Sequence, residues 1–235
     1  MAVADRLPTL FIPHGGGPCF FMVTPPQFPH DMWDAMGAYL RGLAGTLGRR
    51  PSAILIVSGH WDATRPTVNV AEQPPMLFDY YGFPEHTYRL TYPVAGAPDL
   101  AAEVRSLLAI AVFDSETDGA RGLDHGVFVP LKLVYPDADV PVLQMSLLSN
   151  MDPARHLAIG RALAPLRDRG VLIVGSGMSY HNLRQMFSGH GNAEAEAFDA
   201  WLNDAVTDPT GRDEKLTAWD RAPGARESHP AAEHL

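Results

Sequence analysis

Four stretches of the chain are apolar without interruption: residues 7–13 (LPTLFIP), 53–58 (AILIVS), 140–146 (VPVLQMS) and 171–176 (VLIVGS). Runs of this length, rich in Ile, Val and Leu, read as strands covered on both faces. Between them apolar positions recur at helical spacing over 32–47, 98–108, 153–169 and 193–206. On 153–169, for example, His156, Ile159, Leu163 and Leu166 share one face. Pro98 followed by Asp99 marks a helix start: the first turn has no partner for the N–H that proline lacks, and it favours negative charge. The alternation predicts an α/β fold, a single domain over residues 1–235 with a central, mostly parallel sheet covered by helices on both faces. Residues 74–93 (PPMLFDYYGFPEHTYRLTYP) follow neither period and read as an irregular loop, either a lid or substrate wall or a segment packed down on the core.

Composition narrows the function. The 235 residues carry a net charge of -9, and Arg49–Arg50 is the one adjacent pair of basic residues, so no basic stripe suits nucleic-acid phosphates. The first residues lack a long apolar core of a signal peptide, and no apolar run reaches membrane-spanning length. A cytoplasmic protein, with no nucleic-acid or membrane partner, is the expectation. The single cysteine, Cys19, cannot form an internal disulfide and reads as a small buried residue rather than a nucleophile.

Histidine is the residue type with a suggestive placement. In open α/β sheets ligands gather at the carboxyl ends of strands. His14 follows LFIP, His60 follows LIVSG and His181 follows LIVGSGMSY, so three apolar runs lead into a histidine on one side of the sheet. Neutral imidazole is a preferred ligand for Fe, Zn, Cu and Ni, and convergence on a shared metal is the reading. His125, in the turn-like GLDHG, and the pair His229 and His234, in ESHPAAEHL, are further candidates, with Asp124 placed to orient an imidazole and Glu233 an alternative ligand. His30, His86, His156 and His190 lack such settings and read as surface or structural. Two motifs are decoys. His14-Gly-Gly-Gly resembles an esterase oxyanion run, but no Gly-x-Ser-x-Gly accompanies it. Gly175-Ser176-Gly177 starts a dinucleotide fingerprint whose sixth position is Tyr180 instead of glycine.

Pro13-His14-Gly15-Gly16, Ser58-Gly59-His60-Trp61, Asp124-His125-Gly126, Ser176-Gly177 through His181-Asn182-Leu183, and Glu233-His234-Leu235 occur in this order, with the GFPEHTYRLTYP and YPDADVPVLQMS segments between them. Together they resemble the class III extradiol ring-cleavage dioxygenases, the LigB-like superfamily, and within it the DOPA 4,5-dioxygenase-like branch. The resemblance implies a non-haem Fe(II) site with His14, His60 and His234 as ligands. It makes His181 the catalytic base and a possible fourth ligand when substrate is absent. His125 would assist on the dioxygen side, and His229 would border the substrate. Other members of the superfamily use a glutamate as third ligand. Neighbouring side chains point apart, so one of Glu233 and His234 is expected to face the metal, and the DOPA-type pattern favours His234. Relatives continue beyond this point with an apolar segment, so the chain is expected to be cut short after Leu235.

The implied reaction takes a catechol and O2 to a ring-opened semialdehyde, with a small aromatic catechol as the partner molecule. Three neutral histidines leave the full +2 charge on the metal, which acidifies a bound catechol strongly. Two other readings use the same residues: a zinc hydrolase, since Zn(II) also suits three histidines, and a non-catalytic metal-binding protein on this fold. The hydrolase would use His181 or Glu233 as base; His125 and His181 speak against the non-catalytic reading, because a structural site needs no titratable groups beyond its ligands. Trp61, Tyr80, Tyr81 and Tyr180 are candidates for an aromatic pocket wall.

Overall fold

In the computed structural model, which describes residues 6–186 and 192–235, six strands form one sheet. In chain order they are β1 (Thr9–Pro13), β2 (Ala53–Ala63), β3 (Thr67–Asn69), β4 (Glu116–Asp118), β5 (Val142–Leu148) and β6 (Val171–Gly177); in space the order is β1-β6-β2-β5-β3-β4. β1, β6, β2 and β5 run parallel, β3 pairs antiparallel with β5, and β4 is parallel to β3. The four parallel strands therefore end on one side. Around the sheet lie α1 (Asp34–Thr46), α2 (Pro98–Ile110), α3 (His125–Val134), α4 (Pro153–Leu163), α5 (Leu183–Met186), α6 (Asn192–Thr207), α7 (Arg212–Thr217) and α8 (Ala225–Ser228).

Strand alternation divides the core in two. Ile54 and Ile56 of β2 join Leu40 and Leu43 of α1 and Val127 and Leu131 of α3 on one face. Leu55, between them, joins Val104 and Leu108 of α2 and Ile159 and Leu163 of α4 on the other. Both faces of β2 are thus covered, which is why its sequence is apolar without alternation. A third, smaller cluster of Phe198, Trp219 and Ala225 ties α6 and α8 together, with Ala232 and Leu235 packed against it.

The four apolar runs form strands and the four helical stretches form helices, with shifted ends. The 140–146 run pairs as β5, two residues later, and 153–169 divides into α4 and a 3-10 turn over Ala164–Arg169. Two parts of the architecture escaped the periodicity. β3 and β4 are three residues each, and β4 is Glu-Thr-Asp. The segment after Asp124, read as a turn followed by an apolar run, is the helix α3, in which every residue but Lys132 is buried. A helix that is apolar all round carries no 3.6-residue signal.

The 74–93 loop is held down. The Tyr80 hydroxyl donates to the Thr87 carbonyl (2.7 Å), and Phe78, Tyr80, Phe83 and Tyr88 pack in edge-to-face and tilted pairs, reaching Phe128 of α3. Tyr81 is the exception, 91% exposed and in no wall. His156 is structural: its Nδ1–H donates to the Asp152 carbonyl (2.8 Å) and its Nε2 accepts the Leu148 N–H (3.0 Å), splicing the end of β5 to α4. His30 is exposed, His86 is an exposed partner of the Phe21 carbonyl, and His190 lies outside the described residues.

Candidate metal centre

Three separate devices bring three histidines together. β1 ends at Pro13, and His14 follows it into a buried position, its N–H donating to the Gly177 carbonyl (3.3 Å). His60 lies inside β2 but beyond regular pairing. The ladder with β6 stops at Ser58↔Ser176, and that with β5 jumps from Val57↔Met145 to Asp62↔Leu147. Such a bulge bends the strand and re-aims its side chains. His234 arrives from the other end of the chain. Its carbonyl accepts the Met178 N–H (2.9 Å), just past β6, and the ring is 3% exposed. The approach is close: a Cβ on Gly177 would fall 2.3 Å from that carbonyl, and one on Gly59 would fall 2.8 Å from the Glu233 carbonyl. The two glycines leave the room the terminal segment occupies.

The three rings present one nitrogen each to a common point. His60 Nε2 is 3.2 Å from His14 Nε2 and 3.2 Å from His234 Nε2. In each ring the opposite nitrogen faces an oxygen. His14 Nδ1 meets Ser176 Oγ (3.1 Å), His60 Nδ1 meets Asp79 Oδ2 (3.6 Å) and His234 Nδ1 meets Glu233 Oε1 (3.2 Å). Hydrogen-bond acceptors at Nδ1 of His14 and His234 place the protons there, and the nearby Asp79 carboxylate favours the same tautomer of His60 electrostatically, so three Nε2 lone pairs converge. Lone pairs directed at one another across 3.2 Å repel unless a cation lies between them. Metal–imidazole bonds of about 2.0–2.1 Å give N···N separations of about 3 Å. The donor set fits a divalent transition metal.

The Ser176 contact starts from a proline. Pro130, inside α3, has no N–H for the carbonyl one turn back, that of Gly126. That buried carbonyl instead accepts the Ser176 hydroxyl proton, so Ser176 Oγ is left to accept from His14. A helix irregularity thereby sets a ligand's tautomer.

The electrostatics agree. Burial, reinforced by the neighbouring histidines, holds the His14 imidazolium well below its ordinary range. Burial is also the main cause at His60 and His234, pushed down to about 3 and about 2. All three are neutral, ligand-ready bases at pH 7. Cys19, by contrast, is pushed up to about 12 by burial and stays a thiol, as the composition suggested.

His181 and His125 flank this trio. His181 stacks on His234 (ring centroids 3.5 Å, planes 10° apart), with Nδ1 3.7 Å from Glu233 Oε1. It groups with Glu233 and His234, the ligand-type atoms of the three lying within 4.8 Å of one another. Glu233 therefore contacts both Nδ1 atoms, its carboxylate on the outer side of His234. Burial lowers the His181 pKa, with Glu233 pulling the other way. The His125 ring lies 4.0 Å from that of His60 and 5.4 Å from that of His14.

Two expectations about neighbours are corrected. Asp124 does not orient His125. Its carboxylate, fully buried, accepts from Ser58 Oγ (2.7 Å), Gln144 Nε2 and Arg121 Nη2 (3.3 Å), pinning the β2 bulge to β5 and α3. His125 Nδ1–H donates instead to Asp79 Oδ1 (2.8 Å). His229 is fully buried in the third core cluster, edge-on to Phe198 and Trp219, with Nε2–H donating to the Ser179 carbonyl (3.1 Å). It braces the segment that carries His234 and does not line the histidine centre. Of the aromatic candidates, Trp61 is buried under the Arg121 guanidinium (4.8 Å from its centroid), and the Tyr80 ring lies 5.8 Å from that of His125.

Asp79 and Pro130 were not singled out by sequence reasoning, and Ser176 entered it only as part of two motifs, without a role. Pro130 had a signal, a proline inside an apolar run, which implies a freed carbonyl once the run is a helix. Asp79 had none, because it lies in a loop without periodicity.

The comparisons with known proteins converge on one family. Residues 8–235 match the family described as the catalytic LigB subunit of aromatic ring-opening dioxygenase. The chain is 40% identical over 237 residues to dioxygenase tasH of Hapsidospora irregularis, covering 95% of this chain and 72% of that protein. It is 43% identical over 191 residues to the 4,5-DOPA dioxygenase extradiol of Beta vulgaris, covering 80% and 70%. The crystal structure of an uncharacterised protein from Escherichia coli K12 superposes with a TM-score of 0.70 at 32% identity, covering 97% of this chain and 85% of that one. Among the described residues no helix is long and apolar enough to cross a membrane. The chain belongs to the LigB-like family of class III extradiol dioxygenases, the aromatic ring-opening enzymes.

Proposed function

We propose that this chain is a non-haem Fe(II)-dependent dioxygenase that opens the ring of a DOPA-like or related catechol at an extradiol bond. The observation that carries the reading is the convergence of three Nε2 lone pairs from His14, His60 and His234, each with its Nδ1 facing an oxygen. Iron is favoured over zinc because ring opening by O2 needs a redox-active centre and zinc has no redox chemistry. The catechol class comes from relatives that carry DOPA dioxygenase in their names.

When bound, Fe(II) would supply Lewis acidity toward the catechol hydroxyls and an electron path from catechol to O2. The protein supplies the rest. His14, His60 and His234 hold the ion on one side and, being neutral, leave its +2 charge uncompensated. His181 accepts a catechol hydroxyl proton. Its lowered pKa keeps it unprotonated at neutral pH, and Glu233 beside Nδ1 stabilises the imidazolium that forms. In the absence of substrate His181 is also the candidate fourth ligand. His125, tied through Nδ1–H to Asp79, offers Nε2 to the oxygen side, where it accepts a proton, is stabilised as imidazolium by Asp79, and then returns that proton to the reacting oxygen. The overall change joins one catechol and one O2 into one ring-opened product bearing a carboxylate and a new carbonyl. The soluble substrate and O2 are the only partners this chemistry requires.

The test is anaerobic reconstitution with Fe(II), followed by admission of air to a panel of catechols that includes DOPA. The expected result is one O2 consumed per catechol and a yellow ring-opened product. Absence of uptake across the panel, with ester or amide hydrolysis by the zinc-loaded chain, would overturn the reading in favour of a hydrolase.

A further inference from the structure

We infer that Asp79 is the positioning residue of this site, a single carboxylate that sets the orientation and tautomer of His125 and backs the ligand His60. Its Oδ1 accepts both the main-chain N–H (2.9 Å) and the ring Nδ1–H (2.8 Å) of His125, and its Oδ2 lies 3.6 Å from Nδ1 of His60. The kinetic consequence rests on the dioxygenase reading; the tautomer does not.

The need for Asp79 follows from what its neighbours are doing. His125 is the first residue of α3, where backbone N–H groups lack partners within the helix. Asp124 stands at the capping position, but its side chain makes no cap, because both oxygens are committed to Ser58, Gln144 and Arg121. A carboxylate from 46 residues upstream fills the gap, and negative charge at a helix N-terminus is favourable. One oxygen shared between a residue's main chain and its ring fixes the ring plane, since rotation about Cβ–Cγ breaks the second bond. It also keeps the proton on Nδ1, so Nε2 is the nitrogen left to exchange a proton with a reactant.

The loop that carries Asp79 is registered against the same helix. Phe78 and Tyr80, on either side of Asp79, both pack on Phe128, one turn along α3 from His125. The aromatic-rich loop therefore acts as a mount for one carboxylate. On the His60 side the same carboxylate lies within ion-pair range of Nδ1 (3.6 Å) and favours the proton there, with Nε2 directed at His14 and His234.

Two-bond 1H–15N correlation spectra of the 15N-histidine-labelled full chain test this directly, metal-free and with diamagnetic Zn(II). In the wild-type chain His125 is expected as the Nδ1–H tautomer. In Asp79→Ala it reverts to the Nε2–H form that histidine prefers in water, while His156, locked between Asp152 and Leu148, keeps its native signals and reports an intact fold. In Asp79→Asn the amide oxygen holds His125 as Nδ1–H, and the amide N–H facing His60 drives that ring to Nε2–H in the metal-free chain. With Fe(II) and an accepted catechol, Asp79→Ala lowers kcat about 10- to 100-fold, with a much smaller change in KM. The inference is overturned by an Nε2–H tautomer at His125 in the wild type. It is equally overturned by an unchanged His125 in Asp79→Ala or an unchanged His60 in Asp79→Asn, with native His156 signals. Tautomer changes as expected, in a chain that takes up no O2 with any catechol, uphold Asp79's role and contradict the dioxygenase reading.

Discussion

Three imidazole nitrogens about one point are arranged by oxygen atoms behind them, and that shapes what single substitutions do. Removing His14, His60 or His234 deletes a lone pair from the centre. Each Ala variant is expected to bind metal at least about tenfold more weakly, read as metal retained after gel filtration. Full retention in His234→Ala would place the third ligand elsewhere, with Glu233 the first alternative. His181→Ala removes the proposed base without touching the three nitrogens. Metal content should fall less than in the three ligand variants while kcat falls about 10²- to 10⁴-fold, and a wild-type rate at neutral pH would refute its role. At this scale the sequence was partly legible. His14 and His60 carry a signal, standing where apolar runs end, although β2 itself continues past His60 to Ala63. His234 has no such signal and was reached through family likeness, because its position depends on an approach to Gly59 and Gly177 that only the folded chain reveals. Asp79 and Ser176 were illegible for the same reason, since their roles are contacts across 46 and 162 residues.

Two irregular elements do the aiming: the β2 bulge and the proline-bearing helix α3. Pro130 costs α3 a hydrogen bond and gives the Gly126 carbonyl to Ser176. Pro130→Ala is expected to restore the helix bond and to leave thermal stability equal or higher. It should also weaken metal binding, by drawing Gly126 away from Ser176 and freeing the His14 tautomer; calorimetric Zn(II) titration beside a melting curve checks both. Unchanged affinity would sever the link from Pro130 to His14. Gly177→Ala tests the terminal segment in the same way. Its methyl would meet the His234 carbonyl at 2.3 Å, so the strand must give or His234 must move, and loss of metal binding with the sheet intact is the expected outcome. Periodicity found β2, β5 and β6 because they are buried on both faces, and β1, an edge strand with Thr9 and Phe11 exposed, because its run is apolar all the same; it missed α3 because that helix is buried all round. The same burial that makes a strand conspicuous hides a helix.

Across the whole molecule, four parallel strand ends, one helix start and the chain's last residues meet on one side of the sheet, and this was the most legible feature of all. The alternation of runs and helical stretches implied the layered fold, and the fold implied the edge where ligands gather. The same gathering has a thermodynamic consequence. His60, His234 and His14 have folded-state pKa values at about 3, at about 2 and well below 6.5, against an ordinary 6.5 in the unfolded chain. The unfolded chain therefore binds more protons below pH 6.5. Their contribution to stability is present above that pH and is lost as pH falls toward the folded values, by up to about 4 kcal/mol per pH unit if all three act. Denaturant titrations of the metal-free chain between pH 7 and pH 4 should show that decline, steeper than in a His60→Ala variant. Metal added at pH 7 should raise the melting temperature, since it binds the folded site alone.

The central claim, that His14, His60 and His234 together hold the reactive metal and leave room for a catechol, is tested most directly by X-ray absorption at the iron edge of the Fe(II)-reconstituted chain, before and after anaerobic addition of catechol. The account predicts a signature of at least three imidazoles that persists on addition, with new oxygen ligands from the catechol. A site with fewer than three imidazoles, or one unchanged by any catechol, would contradict it.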